Sequence, residues 1–187
     1  MTVEEKMYNE VKNRCYLPSN AYGIGAWDHH IKLVYELAKK YASEYKADLE
    51  IVAISALLHD IASVTNANFK KEHHIIGADM AEQLLLAEKY PKDKIFLIKK
   101  CILNHRGSVL VDKTTPEEIC IADSDAMAHF YGIPSLFSMV YREQGMSIDE
   151  GCKVIMDKLD NSYEKMSERG KSLVKVQYES AKNVLRY

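Results

Sequence analysis

Apolar residues three and four positions apart recur along nearly the whole chain, and only 8 Gly and 4 Pro interrupt its 187 residues. That spacing is the period of an α-helix, and no stretch alternates convincingly enough to build a sheet. An all-α fold is expected. Hydrophobic residues make up 47% of the sequence, enough for one core, so residues 1–187 are read as a single helical domain.

Local chemistry sets the expected boundaries. Thr2 followed by Glu5 forms a capping box that opens a first helix to about Cys15, and Pro18 to Gly25 reads as a loop. Asp28 caps a second helix, from His30 to about Tyr45. Asp48 starts a third that carries LEIVAISALLHDIA, and the polar stretch SVTNANFKK separates it from a fourth, about His73 to Tyr90, ended by Pro91. A fifth spans about Asp93 to Asn104. After the loop HRGSVLVDKTT, Pro116 sits in the first turn of a sixth helix reaching about Tyr131. From Pro134 onward, two or three further helices follow: Pro134 to Gln144, Ile148 to about Lys165, and one ending near Leu185. This extension, residues 134–187, is short of candidate ligands, so packing or assembly, including a homodimer, is its expected task.

Charge and cysteine usage exclude several classes. The 25 basic and 27 acidic residues are mixed along the chain and leave a net charge of -2, which provides no field for a nucleic-acid duplex or a membrane surface. Cys15, Cys101, Cys120 and Cys152 form no C-x-x-C pair and lie among apolar neighbours, so they read as reduced core thiols. The first residues, MTVEEKMYNEVKN, are charged where a leader needs an apolar stretch, and no run is as long as a membrane span. A cytoplasmic location is the expectation.

The polar chemistry is concentrated. His59 and Asp60 stand directly behind the apolar run 53–58, where an unsatisfied polar group costs a few kcal/mol and an unpaired charge more. A metal ion relieves that cost for several side chains at once, and neutral imidazole with carboxylate suits Mn, Fe, Co, Ni or Zn. His30 precedes Val34, Leu37 and Ala38 on one helical stripe, so it faces the core. His59 and Asp60 are about 100° apart around a helix, so one ion near the helix end can be approached by both.

At this point the chain resembles the HD-domain superfamily of metal-dependent phosphohydrolases, whose motif is a His, an adjacent His-Asp pair and a distant Asp. HIKLVYELAKKYA at 30–42, ALLHDIA at 56–62 and IADSDAMAHF at 121–130 carry the resemblance, with Asp125 a better match than Asp123 because Met127 follows at +2. It covers about residues 27–130. The resemblance implies His30, His59, Asp60 and Asp125 as metal ligands. HHIIGADMAEQLL at 73–85 and ILNHRGS at 102–108 are similar to segments that carry two more family histidines, so His73 and His105 are implied for a second metal or a substrate phosphate. Lys70, Lys71 and Arg106 lie beside these and could receive an anionic substrate. His129, at +4 from Asp125, either lines the pocket or packs, while His29 and His74 are expected at the surface or behind the ligands.

The implied activity is hydrolysis of a phosphate ester or anhydride in a nucleotide or other small phosphorylated metabolite. One or two divalent ions, with Mg also compatible, would activate water, and Asp60 would bridge two of them as the catalytic carboxylate. The cyclic-dinucleotide branch of the superfamily carries a second His pair and a G-Y-P signature, both missing around Asn104-His105-Arg106-Gly107. A di-iron oxygenase and a non-catalytic nucleotide or metal sensor are the rival readings of the same residue set.

Overall fold

The computed structural model describes residues 1–23, 25–106 and 112–186. Among the described residues ten α-helices run in chain order: α1 Val3–Cys15, α2 Lys32–Tyr45, α3 Leu49–Leu58, α4 Ile61–Thr65, α5 His73–Ala87, α6 Lys92–Asn104, α7 Pro116–Tyr131, α8 Ile133–Phe137, α9 Ile148–Lys165 and α10 Glu168–Leu185. No strand occurs among the described residues, as the periodicity predicts. The Thr2–Glu5 capping box is formed, and Thr115 with Glu118 forms a second one around Pro116.

Helix α3 is the axle. Every residue from Ile51 to Leu58 is buried, so the helix is wrapped on all sides, by α1, α2, α6 and α7. Helix α7 packs on α2, α3 and α6 with its other flanks on α9 and α10. Residues 107–111 of the loop expected at 105–115 lie outside the described residues.

Four boundaries differ from the sequence expectation, and each has a local cause. The third helix is broken: Asp60 takes φ -112° and ψ 17°, outside the helical region, and α4 starts afresh on its carbonyl, with Val64 N–H donating to it at 3.1 Å. Helix α5 stops at Ala87, ahead of Pro91, because Lys89 adopts the left-handed conformation (φ 56°) and Tyr90 N–H folds back onto Leu85 O at 3.0 Å. The second helix is preceded by a π-helical turn, Trp27–Ile31, which inserts one extra residue and buries both Trp27 and Ile31 while His30 stays half-buried. The polar stretch 63–71 is largely helical, ending α4 and entering a 3-10 helix at Ala67–Glu72.

Candidate metal centre

Three histidines stand at helix ends in the same manner. His59 follows α3, His105 follows α6, and His73 follows the 3-10 helix and opens α5. The last turn of a helix leaves carbonyls without amide partners. Each ring takes one of these, three residues back: His59 Nδ1 donates to Ala56 O at 2.7 Å, His105 Nδ1 to Ile102 O at 2.6 Å and His73 Nδ1 to Lys70 O at 2.9 Å. A carbonyl can only accept, so Nδ1 carries the proton and Nε2 keeps a lone pair aimed beyond the helix end.

Those lone pairs converge. His73 Nε2 is 3.2 Å from His105 Nε2, and His59 Nε2 is 3.3 Å from His30 Nε2. Asp60 lies between the two pairs. Its Oδ2 is 3.4 Å from His30 Nε2 and 3.5 Å from His59 Nε2, while its Oδ1 is 3.4 Å from His73 Nε2 and 4.0 Å from His105 Nε2. Asp125 Oδ1 approaches His30 Nε2 at 3.4 Å and His59 Nε2 at 3.8 Å. Asp60 Oδ1 is buried and accepts no hydrogen bond.

This donor set fits a cation. Two imidazole lone pairs at 3.2 Å beside an orphaned carboxylate oxygen repel one another unless a positive charge sits among them. The ligand atoms of His30, His59 and Asp60 lie within 4.8 Å of one another, and so do those of Asp60, His73 and His105, a nitrogen-and-oxygen set of the kind that holds divalent transition metals. A third group, His30, Asp125 and His129, is equally compact.

Electrostatics keep the acids ionised. Burial works to raise the Asp60 pKa, but the adjacent His59 and the His30 contact overcome it and hold the carboxyl well below its usual range. Asp125 is lowered in the same way, against burial, by His30 and His59. Burial also opposes charge on His30, yet Asp60 and Asp125 outweigh it and raise its pKa. His105 goes the other way, pushed down to about 4 by burial and then by His59.

Two further groups belong to the site without a motif to announce them. His129 lines the cavity, stacks on His30 with ring centroids 5.9 Å apart, and donates from Nδ1 to Ser162 Oγ at 3.0 Å, whose own proton goes to Lys158 O at 2.9 Å. Burial and then Lys158 lower its pKa to about 3. Tyr22 lies 6.2 Å from His30 between ring centroids, on a loop that the Asn20 side chain ties to Cys15 O and Gly23 O. Burial and then Asp60 raise the pKa of its phenol, which stays protonated.

A cavity of about 490 Å³ opens beside the cluster, lined by His105, Asp125 and His129 from one side and by Lys158, Asn161 and Lys165 of α9 from the other. The basic residues nominated from sequence sit differently. Lys70 lies over the Tyr22 ring at 5.3 Å, and Arg106 donates to Lys71 O at 2.7 Å. His29 is exposed and His74 is half-buried against His73. Asp123, two residues before Asp125, faces away: it accepts from Tyr45 Oη at 2.8 Å, from Ser167 N at 3.0 Å and from Ser167 Oγ, pinning the start of α10. Gly170 allows that approach, since a Cβ there would meet Asp123 Oδ2 at 2.5 Å.

An all-helical chain whose helix ends converge on a His and Asp cluster is the class that the sequence resemblance anticipates, and the HD-domain family model matches residues 27–129. The chain belongs to the HD-domain family. Among known proteins it is similar to ribonuclease Y of Petrotoga mobilis, 28% identical over 108 residues, which are 58% of this chain and 19% of that ribonuclease. Its fold is similar to Bacillus subtilis YpgQ, with a TM-score of 0.72 at 20% identity over 99% of this chain and 95% of that one, and to YpgQ in complex with ADP, with a TM-score of 0.73 at 19% identity over 98% and 94%. The Lin1889 protein of Listeria innocua also shares it, with a TM-score of 0.68 at 19% identity over 100% and 94%. No helix among the described residues is long and apolar enough to cross a membrane.

Proposed function

We propose that this chain is a metal-dependent phosphohydrolase, a phosphatase or phosphodiesterase acting on a nucleotide or another small phosphorylated metabolite. The observation that carries the reading is the Asp60 carboxylate, whose two oxygens face two separate histidine pairs. His30, His59, Asp60 and Asp125 would hold one divalent ion, and His73 and His105, with Asp60 again, a second. When bound, such ions lower the pKa of water toward neutrality and neutralise phosphoryl charge. The residues do the positioning. The three backbone-tethered imidazoles keep their Nε2 atoms fixed, and the fully buried α3 behind His59 keeps Asp60 from drifting. Phosphoryl chemistry is also in keeping with a relative named as a ribonuclease and a structural neighbour seen with ADP.

The test is purification without chelator, elemental analysis, and a screen of phosphomonoesters, phosphodiesters and anhydrides with Mn, Co, Ni and Mg. Metal-dependent turnover is expected, with a loss of at least about 100-fold in Asp60→Ala. Turnover that survives the substitution would overturn the assignment of Asp60. Two irons per chain with oxygen consumption and no hydrolysis would overturn the hydrolase reading.

A further inference from the structure

Helix α9 turns one polar stripe toward the cavity: Lys158, Asn161, Ser162 and Lys165, at i, i+3, i+4 and i+7. The adjoining face, with Ile155, Met156 and Leu159, is buried in the core together with Ser162 of the stripe, so the stripe is held in place. Lys113, from the segment that leads into α7, reaches the same cavity. None of these three lysines makes an ion pair within 4 Å or a side-chain hydrogen bond among the described residues, whereas Lys39, Lys94 and Lys99 all do. Asp125, the carboxylate that shares the cavity lining, is already engaged by His30 and His59. Like charges gathered around one cavity repel, and an anion removes that cost.

We propose that Lys113, Lys158 and Lys165, with the Asn161 amide, form an anion subsite beside the His and Asp cluster that holds phosphoryl groups other than the reacting one. The preferred substrate then carries a diphosphate or triphosphate chain. A single phosphoryl group seated among His30, Asp60 and His105 leaves three ammonium charges without a counter-ion, and a longer chain supplies it. Lys158 records the crowding: burial lowers its pKa, Asp125 and Asp60 oppose that, and Lys165 and Lys70 add to it. The proposal rests on reading the cluster as the reacting centre.

The test uses the full chain. With a chelator present and at low salt, calorimetric titration compares tripolyphosphate with orthophosphate, in the wild type, in Lys165→Gln, in Lys158→Gln/Lys165→Gln and in Lys153→Gln. Lys153 is on the same helix but exposed and lines a different cavity, so it controls for general charge. Tripolyphosphate is expected to bind about 10-fold or more tighter than orthophosphate, and the double variant to erase that difference while Lys153→Gln keeps it. Lys165 is exposed, so Lys165→Gln folds and shows a part of the loss by itself. A second arm measures, with Mn added, the ratio of kcat/KM for a nucleoside triphosphate over the monophosphate, which should fall by a similar factor in the double variant. Lysine-dependent tripolyphosphate binding in a chain that hydrolyses nothing supports the subsite and removes the hydrolase reading. Hydrolysis with equal tripolyphosphate binding in all four proteins overturns the subsite and leaves the hydrolase reading standing.

Discussion

The cavity has two unlike walls. One, formed by His105 at the end of α6 with Asp125 and His129 of α7 and backed by the rest of the His and Asp cluster, presents lone pairs at defined points; the other, the face of α9, presents positive charge without defined points. A lone pair must be aimed, which takes a backbone tether such as Ala56 O behind His59 and a rigid helix to carry it. Charge on a lysine needs only a flexible stem and a nearby helix. Precision therefore belongs to the first wall and adaptability to the second.

The comparison can be broken most sharply inside α7, where Asp123 and Asp125 are two residues apart but serve different ends. Asp125→Ala should cost about 100-fold or more in metal affinity and leave the metal-free fold within about 1 kcal/mol of the wild type. Asp123→Ala should do the reverse, keeping the metal but losing about 3 kcal/mol of stability, because Tyr45 and Ser167 lose a buried charged acceptor. Denaturant titration beside metal analysis decides it. Equal metal loss in both variants would erase the division of labour.

The aimed wall also predicts an acid weakness in the chelated protein. His105, lowered to about 4 from an ordinary 6.5, stays neutral in the fold while the unfolded chain takes up a proton, so stability should fall as pH drops from about 6.5 toward 4. His129, lowered to about 3, adds to the same trend. His30 does not offset it: its pKa is raised, so its contribution is complete below 6.5 and is lost only as pH rises through its folded value. Asp60, held low, loses its contribution only as pH falls below 3.8 toward its folded value. A slope of about 1 kcal/mol per pH unit is expected from His105, and His105→Gln should reduce the total slope by that amount. Denaturation midpoints that stay constant from pH 7 to 5 would contradict it.

The smallest effect is expected where the walls touch. Ser162→Ala removes the acceptor of His129 Nδ1 and should cost about 1 kcal/mol, read as a several-fold fall in turnover with little change in stability. A loss as large as that of Asp125→Ala would move His129 from support to ligand.

Legibility in the sequence follows the same division. Helix periodicity and the Thr2, Pro116 and Asp48 signals lie within a few residues of their effects, so most helices could be located from them. His59 and Asp60 stand out because they interrupt an apolar run, which is a local anomaly. The break between α3 and α4 has no Gly or Pro to mark it: the His59 ring takes the Ala56 carbonyl and Asp60 leaves the helical region. Lys158 and Lys165 read as part of an ordinary solvated face, and only the packing of α9 on α7 turns that face into a cavity wall. Tyr22 enters through the Asn20-tied loop, and nothing in its neighbours marks it.

If one carboxylate serves two cation sites, manganese titration of the metal-free protein by calorimetry will count both. Two ions per wild-type chain are expected, one in His73→Ala, and none held tightly in Asp60→Ala. Unchanged stoichiometry and affinity in Asp60→Ala would contradict it.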